Sequence, residues 1–279
     1  MKLDAHQHFW RYSAEGYPWI PVGSALQNDW LPVDLAALQR PLGFDGSIAV
    51  QARQTVEESR WLLELADANP RVRGVVGWVD IRNEGVDEIL GELAEHPRFV
   101  GVRHVVQDEP DDRFLIRADF VRGLRKLAAH GLTYDLLIYP HQLPAAIELV
   151  RMLPDQRFVL DHLAKPRIKE GEVSPWDHQI RELAKAPNVW CKLSGVVTEA
   201  NWLDWKRSDF TPYFEVAMEA FGPKRLMFGS DWPVCQLAGN YQSVHDLAAD
   251  AFVGLSTDEL AAVWGGNCAA FYGLKSGEL

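Results

Sequence analysis

Cysteine is scarce in this sequence: 3 of 279 residues, Cys191, Cys235 and Cys268, with no CxxC spacing. An odd number of widely separated thiols argues against a disulfide framework and against a cysteine-bound zinc. Reduced thiols filling apolar core are expected instead, and with them a cytoplasmic setting. Long apolar runs are missing as well. None approaches the roughly 20 residues that a bilayer requires, so no membrane span is expected. The opening MKLDAHQHFW has no basic start leading into an apolar core, and no signal peptide is expected. Lysine and arginine number 28 against 39 acidic residues and form no run, so the net charge of -11 argues against a sequence-independent grip on nucleic acid. Glycine-rich phosphate loops are absent too: FWRYSAE follows the first apolar stretch, and no Walker or dinucleotide fingerprint occurs.

What is present is enough to build a large core. Hydrophobic residues make up 47% and charged residues 24% of the chain. Tryptophan is abundant, with 11 copies, several in loop-like segments: Trp10, Trp19, Trp30, Trp202, Trp205, Trp232 and Trp264. Loop tryptophans need a surface to lie against, either the protein itself or the apolar face of a ring-shaped ligand.

Short apolar or β-branched runs recur along the chain: LDAHQH (3–8), SIAVQ (47–51), GVVGWVD (74–80), FVGVRHV (99–105), YDLLIY (134–139), RFVLDH (157–162), VWCKLSG (189–195) and LMFGSD (226–231). Between them lie segments with apolar residues at i, i+3, i+4 and i+7, over 56–70, 86–97, 120–131, 143–154 and 176–187, most of them stopped by Pro or Gly. Eight strands alternating with helices and no intervening linker predict one domain over 1–279, an α/β fold of the closed (β/α)8 TIM-barrel type. Residues 9–34, aromatic and proline-containing, are expected to form a loop over the barrel mouth.

In such a barrel the reactive groups stand at the C-terminal ends of the strands. The first strand ends in His6 and His8, which point the same way if side chains alternate. The second ends at Gln51, the fourth at Arg103 and His104, the fifth at Tyr139, the sixth at His162 and the eighth at Asp231. Each has an ordinary structural explanation when taken alone. Folding does not require three histidines and an aspartate at one end of three strands, whereas chemistry at a mouth does. His-x-His also suits one divalent metal, with His162 and Asp231 available to complete the shell.

DAHQHFW, LDHLAKP, GSDWP and the tail VWGGNCAAFYGL, in that order, resemble the amidohydrolase superfamily. The resemblance is to its amidohydrolase-related branch of lactonases, and within that to the L-fuconolactone hydrolase group; AVQARQTVEESRWLLELA and GVRHVVQDEPDDRFL add to it. It implies hydrolysis of a small-molecule sugar lactone, with Asp231 as general base on water and His6 and His8 as metal ligands. His162 is implied as a ligand or polarising donor. One divalent metal, zinc, follows from the resemblance, although some lactonases of the branch work without metal. A binuclear centre does not, because no bridging Lys or Glu ends the fourth or fifth strand.

The chemistry expected is direct water attack on the lactone carbonyl, with Arg103, His104 and His162 as candidate oxyanion donors. Gln51 and Tyr139 are candidate partners for sugar hydroxyls, and Trp30 and Trp232 for the ring face. Asn267 is expected to fix the last barrel turn, and Lys165 and Arg167 to be surface charges or to meet an anionic group. Two other chemistries suit the same scaffold: metal-dependent decarboxylation, and opening of a pyrone dicarboxylate lactone by converging cations such as Arg53, Arg103, Arg113 and Arg167. A non-catalytic sugar sensor is a third reading, which would not need Asp231. A homo-oligomer is compatible with the sequence, which marks no interface.

Overall fold

The computed structural model describes residues 1–274. Eight parallel strands follow one another in chain order around a single sheet. They are β1 (Leu3–Gln7), β2 (Gly46–Val50), β3 (Val72–Gly77), β4 (Phe99–Val105), β5 (Thr133–Leu137), β6 (Phe158–Leu160), β7 (Val189–Leu193) and β8 (Leu226–Phe228). All eight overlap the runs expected, although β3 ends at Gly77 and β6 and β8 stop at Leu160 and Phe228, short of His162 and Asp231. The ring closes just beyond β8, where the Asp231 amide donates to the His6 carbonyl at 2.8 Å and the His8 amide to the Trp232 carbonyl at 2.7 Å.

Helices cover the outside: α1 (Pro32–Gln39), α2 (Val56–Ala68), α3 (Val86–Ala94), α4 (Ala118–Leu127), α5 (Leu143–Met152), α6 (Trp176–Ala184), α7 (Arg207–Phe221) and α8 (Tyr241–Ala251). The α2 helix shows why such segments are helical. Its N-cap Thr55 accepts from the Glu58 amide, and Ser59, Leu62, Leu63 and Ala66 form its buried stripe. None of the helices among the described residues is long and apolar enough to cross a membrane.

The core has two layers. The larger lies between helices and sheet, and the smaller fills the barrel interior with Ala5, Ile48, Val50, Val76, Val159 and Met227. The last helix among the described residues, α9 (Asn267–Tyr272), adds Cys268, Phe271 and Tyr272 to the interior layer. Asn267 donates to the carbonyls of Pro223 (2.7 Å) and Leu226 (2.6 Å), so it fixes the start of β8 as expected. All three cysteines are free and buried.

The aromatic segment after β1 folds into a knot of its own. Trp10, Tyr17, Ile20 and Leu26 pack together, and Trp10 and Trp30 form an antiparallel bridge. The Trp10 indole donates to the carbonyls of Leu26 (3.2 Å) and Asn28 (3.0 Å).

Candidate active site

Strict alternation along β1 would put Asp4, His6 and His8 on one face. The pairing of β1 with β2 instead slips by one residue between Asp4 and Gln7. A bulge of this kind re-aims side chains locally. Asp4 therefore lies outside the barrel, accepting from the Ser230 amide (2.9 Å), the Ser230 hydroxyl (2.6 Å) and Tyr241 on α8 (3.1 Å). This lock ties β1 to the residue preceding Asp231, while His6 and His8 turn inward.

A second local departure shapes the end of β6. That strand stops at Leu160, and His162, Leu163, Ala164 and Lys165 all adopt positive φ, between 51° and 58°. A continued strand would send Asp161 and His162 to opposite faces; the left-handed turn lets both reach the barrel mouth. Asp231 is in the same backbone region, at φ 55°. Non-glycine residues held there cost energy and concentrate at functional sites. The turn also depends on Gly195, at φ 59°, where a Cβ atom would stand 2.2 Å from Nδ1 of His162.

These turns bring His6, His8, His162 and Asp231 together. Oδ1 of Asp231 lies 3.4 Å from Nε2 of His8 and 3.9 Å from Nε2 of both His6 and His162. The Nε2 atoms of His6 and His8 are 3.3 Å apart. Nδ1 of His8 donates to the Val50 carbonyl at 2.8 Å, which leaves its Nε2 lone pair facing the cluster. Arg103 can only donate, so its Nη1 contact of 3.3 Å to Nε2 of His6 calls for a lone pair there too. Burial lowers His162 to about 4 against the pull of Asp231 and Asp161, and lowers His6 as well. Burial alone would raise the Asp231 carboxyl; the surrounding His162, His8 and His6 outweigh it and hold the group well below the usual range. Asp231 is thus ionised at neutral pH.

The donor set fits a divalent metal. Ligands at about 2.0–2.2 Å in a tetrahedron stand roughly 3.3–3.6 Å from one another. The spacings of 3.3 Å between His6 and His8 and 3.4 Å from His8 to Asp231 are of that size. His6, His8 and Asp231 form one buried triad of possible ligands, and His6, Asp161 and His162 a second. Nδ1 of His6 lies 3.3 Å from Asp161, the carboxylate contact that commonly orients a metal-bound imidazole.

Beneath the cluster runs a buried charge network absent from the expected set. Asp161 receives Nη1 of Arg103 at 3.1 Å and Nζ of Lys192 at 3.0 Å. Lys192 also meets Asp135, whose other contact is the Tyr272 hydroxyl, and lies 3.1 Å from Nδ1 of His6. Asp161, Asp135 and Lys192 are fully buried. Burial raises the carboxyl of Asp135 to about 6 even beside the Lys192 ammonium. Asp161 moves the other way, because Lys192, His6 and Arg103 together overcome its desolvation. The sequence signal for Lys192 was a lysine in VWCKLSG two residues from Trp190, on the face turned to the barrel interior.

A cavity of about 710 Å³ opens above the cluster. His8, His162, Asp231 and Arg103 reach it, as do Gln51 and Tyr139. Gln51 also receives Nη2 of Arg103 on its carbonyl at 2.6 Å. Three expected contributors are elsewhere. His104 faces away from Arg103 because the two alternate on β4; it stacks on Phe114, accepts from the Trp78 indole at 3.2 Å and meets Glu109 at 2.7 Å. Trp232 is fully buried against Phe9 and Trp30, and neither Trp30 nor Trp232 lines the cavity. The tryptophans that do line it are Trp19 and Trp202. Of the four arginines considered for a dicarboxylate, only Arg53 and Arg103 line the cavity; Arg113 pairs with Glu148 and Arg167 with Glu172.

The family profile described as amidohydrolase matches residues 3–274. The chain belongs to the amidohydrolase family. Among amidohydrolase relatives, it is 43% identical to an L-fucono-1,5-lactonase of Burkholderia multivorans, over 98% of this chain and 96% of that one. An L-fucono-1,5-lactonase of Burkholderia ambifaria is 37% identical, over 97% and 95%. A crystal structure of a zinc-bound amidohydrolase from Burkholderia multivorans superposes with a TM-score of 0.94 at 42% identity, covering 99% of this chain and 100% of that one.

Proposed function

We propose that this amidohydrolase opens a sugar lactone, L-fucono-1,5-lactone, to the aldonic acid, with Asp231 activating the attacking water. The observation that carries the mechanism is the Asp231 carboxyl group lining the cavity, ringed by three imidazole Nε2 atoms at 3.4–3.9 Å. The substrate is supported by two relatives of nearly full length that bear the name L-fucono-1,5-lactonase.

Asp231 takes a proton from water as the oxygen bonds to the lactone carbonyl carbon. Arg103 and His162, both at the cavity floor, are the donors for the oxyanion that develops. The tetrahedral intermediate then collapses, the bond from carbon to ring oxygen breaks, and the proton on Asp231 passes to the departing oxygen. The product is a hydroxy acid that ionises in solution. His6 and His8, with Asp231 beside them, would hold one divalent ion, zinc in our reading. When bound, such an ion supplies Lewis acidity and eases ionisation of water. Asp161, itself held by Lys192 at 3.0 Å, accepts from Nδ1 of His6 and fixes that imidazole from below.

The test is a pH-indicator assay with L-fucono-1,5-lactone and a panel of other aldonolactones, accompanied by elemental analysis. Acid release by the wild type and a fall in kcat of about 100- to 10,000-fold in Asp231→Asn are expected. About one divalent ion per chain, lost in His6→Ala/His8→Ala, is expected alongside. A folded wild-type protein that opens no aldonolactone, or an Asp231→Asn variant with near-normal kcat, would overturn the proposal.

A further inference from the structure

Two charged side chains in the wall of the cavity take no part in the chemistry above. Lys165 ends the left-handed turn after β6, and Glu199 ends the short 3-10 turn Val197–Glu199 after β7. Both line the same cavity as His162 and Asp231. Their side chains are only 17% and 22% exposed, yet Nζ of Lys165 and Oε1 of Glu199 stand 3.8 Å apart. That is about 1 Å too long for a charge-assisted hydrogen bond. Neither side chain has a hydrogen bond to any other described residue; beyond this ion pair, the Lys165 ammonium faces the Tyr139 ring, 5.5 Å away, and its charge reaches His162.

We infer that the gap between Lys165 and Glu199 is a recognition site for one ring hydroxyl of the substrate. The inference rests on the lactonase reading and adds a specificity determinant to it. An oxygen about 2.8 Å from each atom fits between two groups held 3.8 Å apart. A hydroxyl there accepts from the ammonium and donates to the carboxylate through the same oxygen. No charged substituent can do both. A carboxylate would be repelled by Glu199, and an ammonium by Lys165. The pair therefore selects a neutral polyol lactone over a dicarboxylate one.

The site is built before substrate arrives. The Thr198 hydroxyl donates to the Gly195 carbonyl at 2.9 Å, and the Trp202 indole donates to the Thr198 carbonyl at 2.8 Å. The Lys169 amide donates to the Glu199 carbonyl at 2.9 Å. Through Gly195 this turn abuts the His162 ring, so the hydroxyl-binding pair and the reacting centre share one frame. Burial, with the nearby Asp231 charge, raises the Glu199 carboxyl against the pull of Lys165, as expected of an acceptor that lacks a bonded partner.

The experiment compares kcat/KM for L-fucono-1,5-lactone with that for δ-valerolactone, a six-membered lactone without hydroxyls, in wild type, Glu199→Gln and Lys165→Met. The wild type is expected to prefer the hydroxylated lactone. Each variant should lower that preference about 10- to 100-fold, the cost of a hydrogen bond to a charged group, chiefly through KM. Melting temperatures within 2 °C of wild type would place the loss in recognition and not in folding. Preference within threefold of wild type in both variants, or a wild type that does not distinguish the two lactones, overturns this assignment alone. A wild type that opens neither lactone overturns the functional reading, and the assignment with it.

Discussion

Lys192→Met tests whether the buried charges beneath His6 are arranged as described. Methionine fills a similar volume but removes the ammonium shared by Asp135 and Asp161. Asp161 keeps Arg103 at 3.1 Å, while among the described residues Asp135 keeps only the Tyr272 hydroxyl as a hydrogen-bond partner, at 2.9 and 3.1 Å from its two oxygens. Removing one partner of a buried ion pair costs about 3–5 kcal/mol. An unfolding entropy of about 2.1 cal/mol/K per residue, over 279 residues, converts this into a melting-temperature loss of roughly 5–8 °C. The loss should grow with pH. Folded Asp135 already holds its proton up to about pH 6, against an ordinary value near 3.8, and without Lys192 it holds it higher still. Between the two values the folded state binds a proton that the unfolded state has released, so stability falls by about 1.4 kcal/mol per pH unit. The wild type leaves this window near pH 6, whereas the variant remains in it. Differential scanning calorimetry at pH 5 and pH 8 should therefore show a deficit several degrees larger at pH 8. Lys192→Met/Asp135→Asn should remove that growth. A deficit below 2 °C, or one independent of pH, would refute the reasoning.

Three further outcomes follow from the geometry. Gly195→Ala should cost about 1–2 kcal/mol for its left-handed backbone alone, and more as the new methyl displaces the His162 ring, so melting temperature and kcat should fall together. Burial raises Glu58 to about 7, despite amide donors from Arg53 and Ala52, so stability should decline as pH rises from about 4.5 to 7. Glu58→Gln should flatten that decline by up to about 3 kcal/mol, read as melting temperature against pH. Arg103→Met should lose about 100-fold in kcat, whereas His104→Ala should chiefly lower the melting temperature by a few degrees as its aromatic stack is lost; kinetics and melts on the pair separate the two roles.

The strands were legible because each carries its own apolar run, and five of the helices because their periodicity is local. The site was legible in part. His6, His8, His162 and Asp231 do converge, and Gln51, Tyr139 and Arg103 reach the same cavity. His104 was misplaced because neighbours on a strand face opposite ways, and only the sheet register says which of Arg103 and His104 points inward. Asp161 was in plain sight beside His162, but ordinary alternation sends the two apart; the left-handed turn that unites them has no glycine to announce it. Trp30 and Trp232 pack edge to face against each other, a contact between residues about two hundred positions apart that no local pattern encodes.

The sequence by itself determined the barrel and the stock of polar groups at its strand ends, because apolar periodicity and residue chemistry are local properties. Only the tertiary structure decided where those groups point. The bulge that turns His6 and His8 inward, the lock of Asp4 on Ser230 and the open pair of Lys165 and Glu199 all arise where segments of different βα units meet. A side chain's direction at such a place is set by the partner it must pack against, and that partner is distant in sequence.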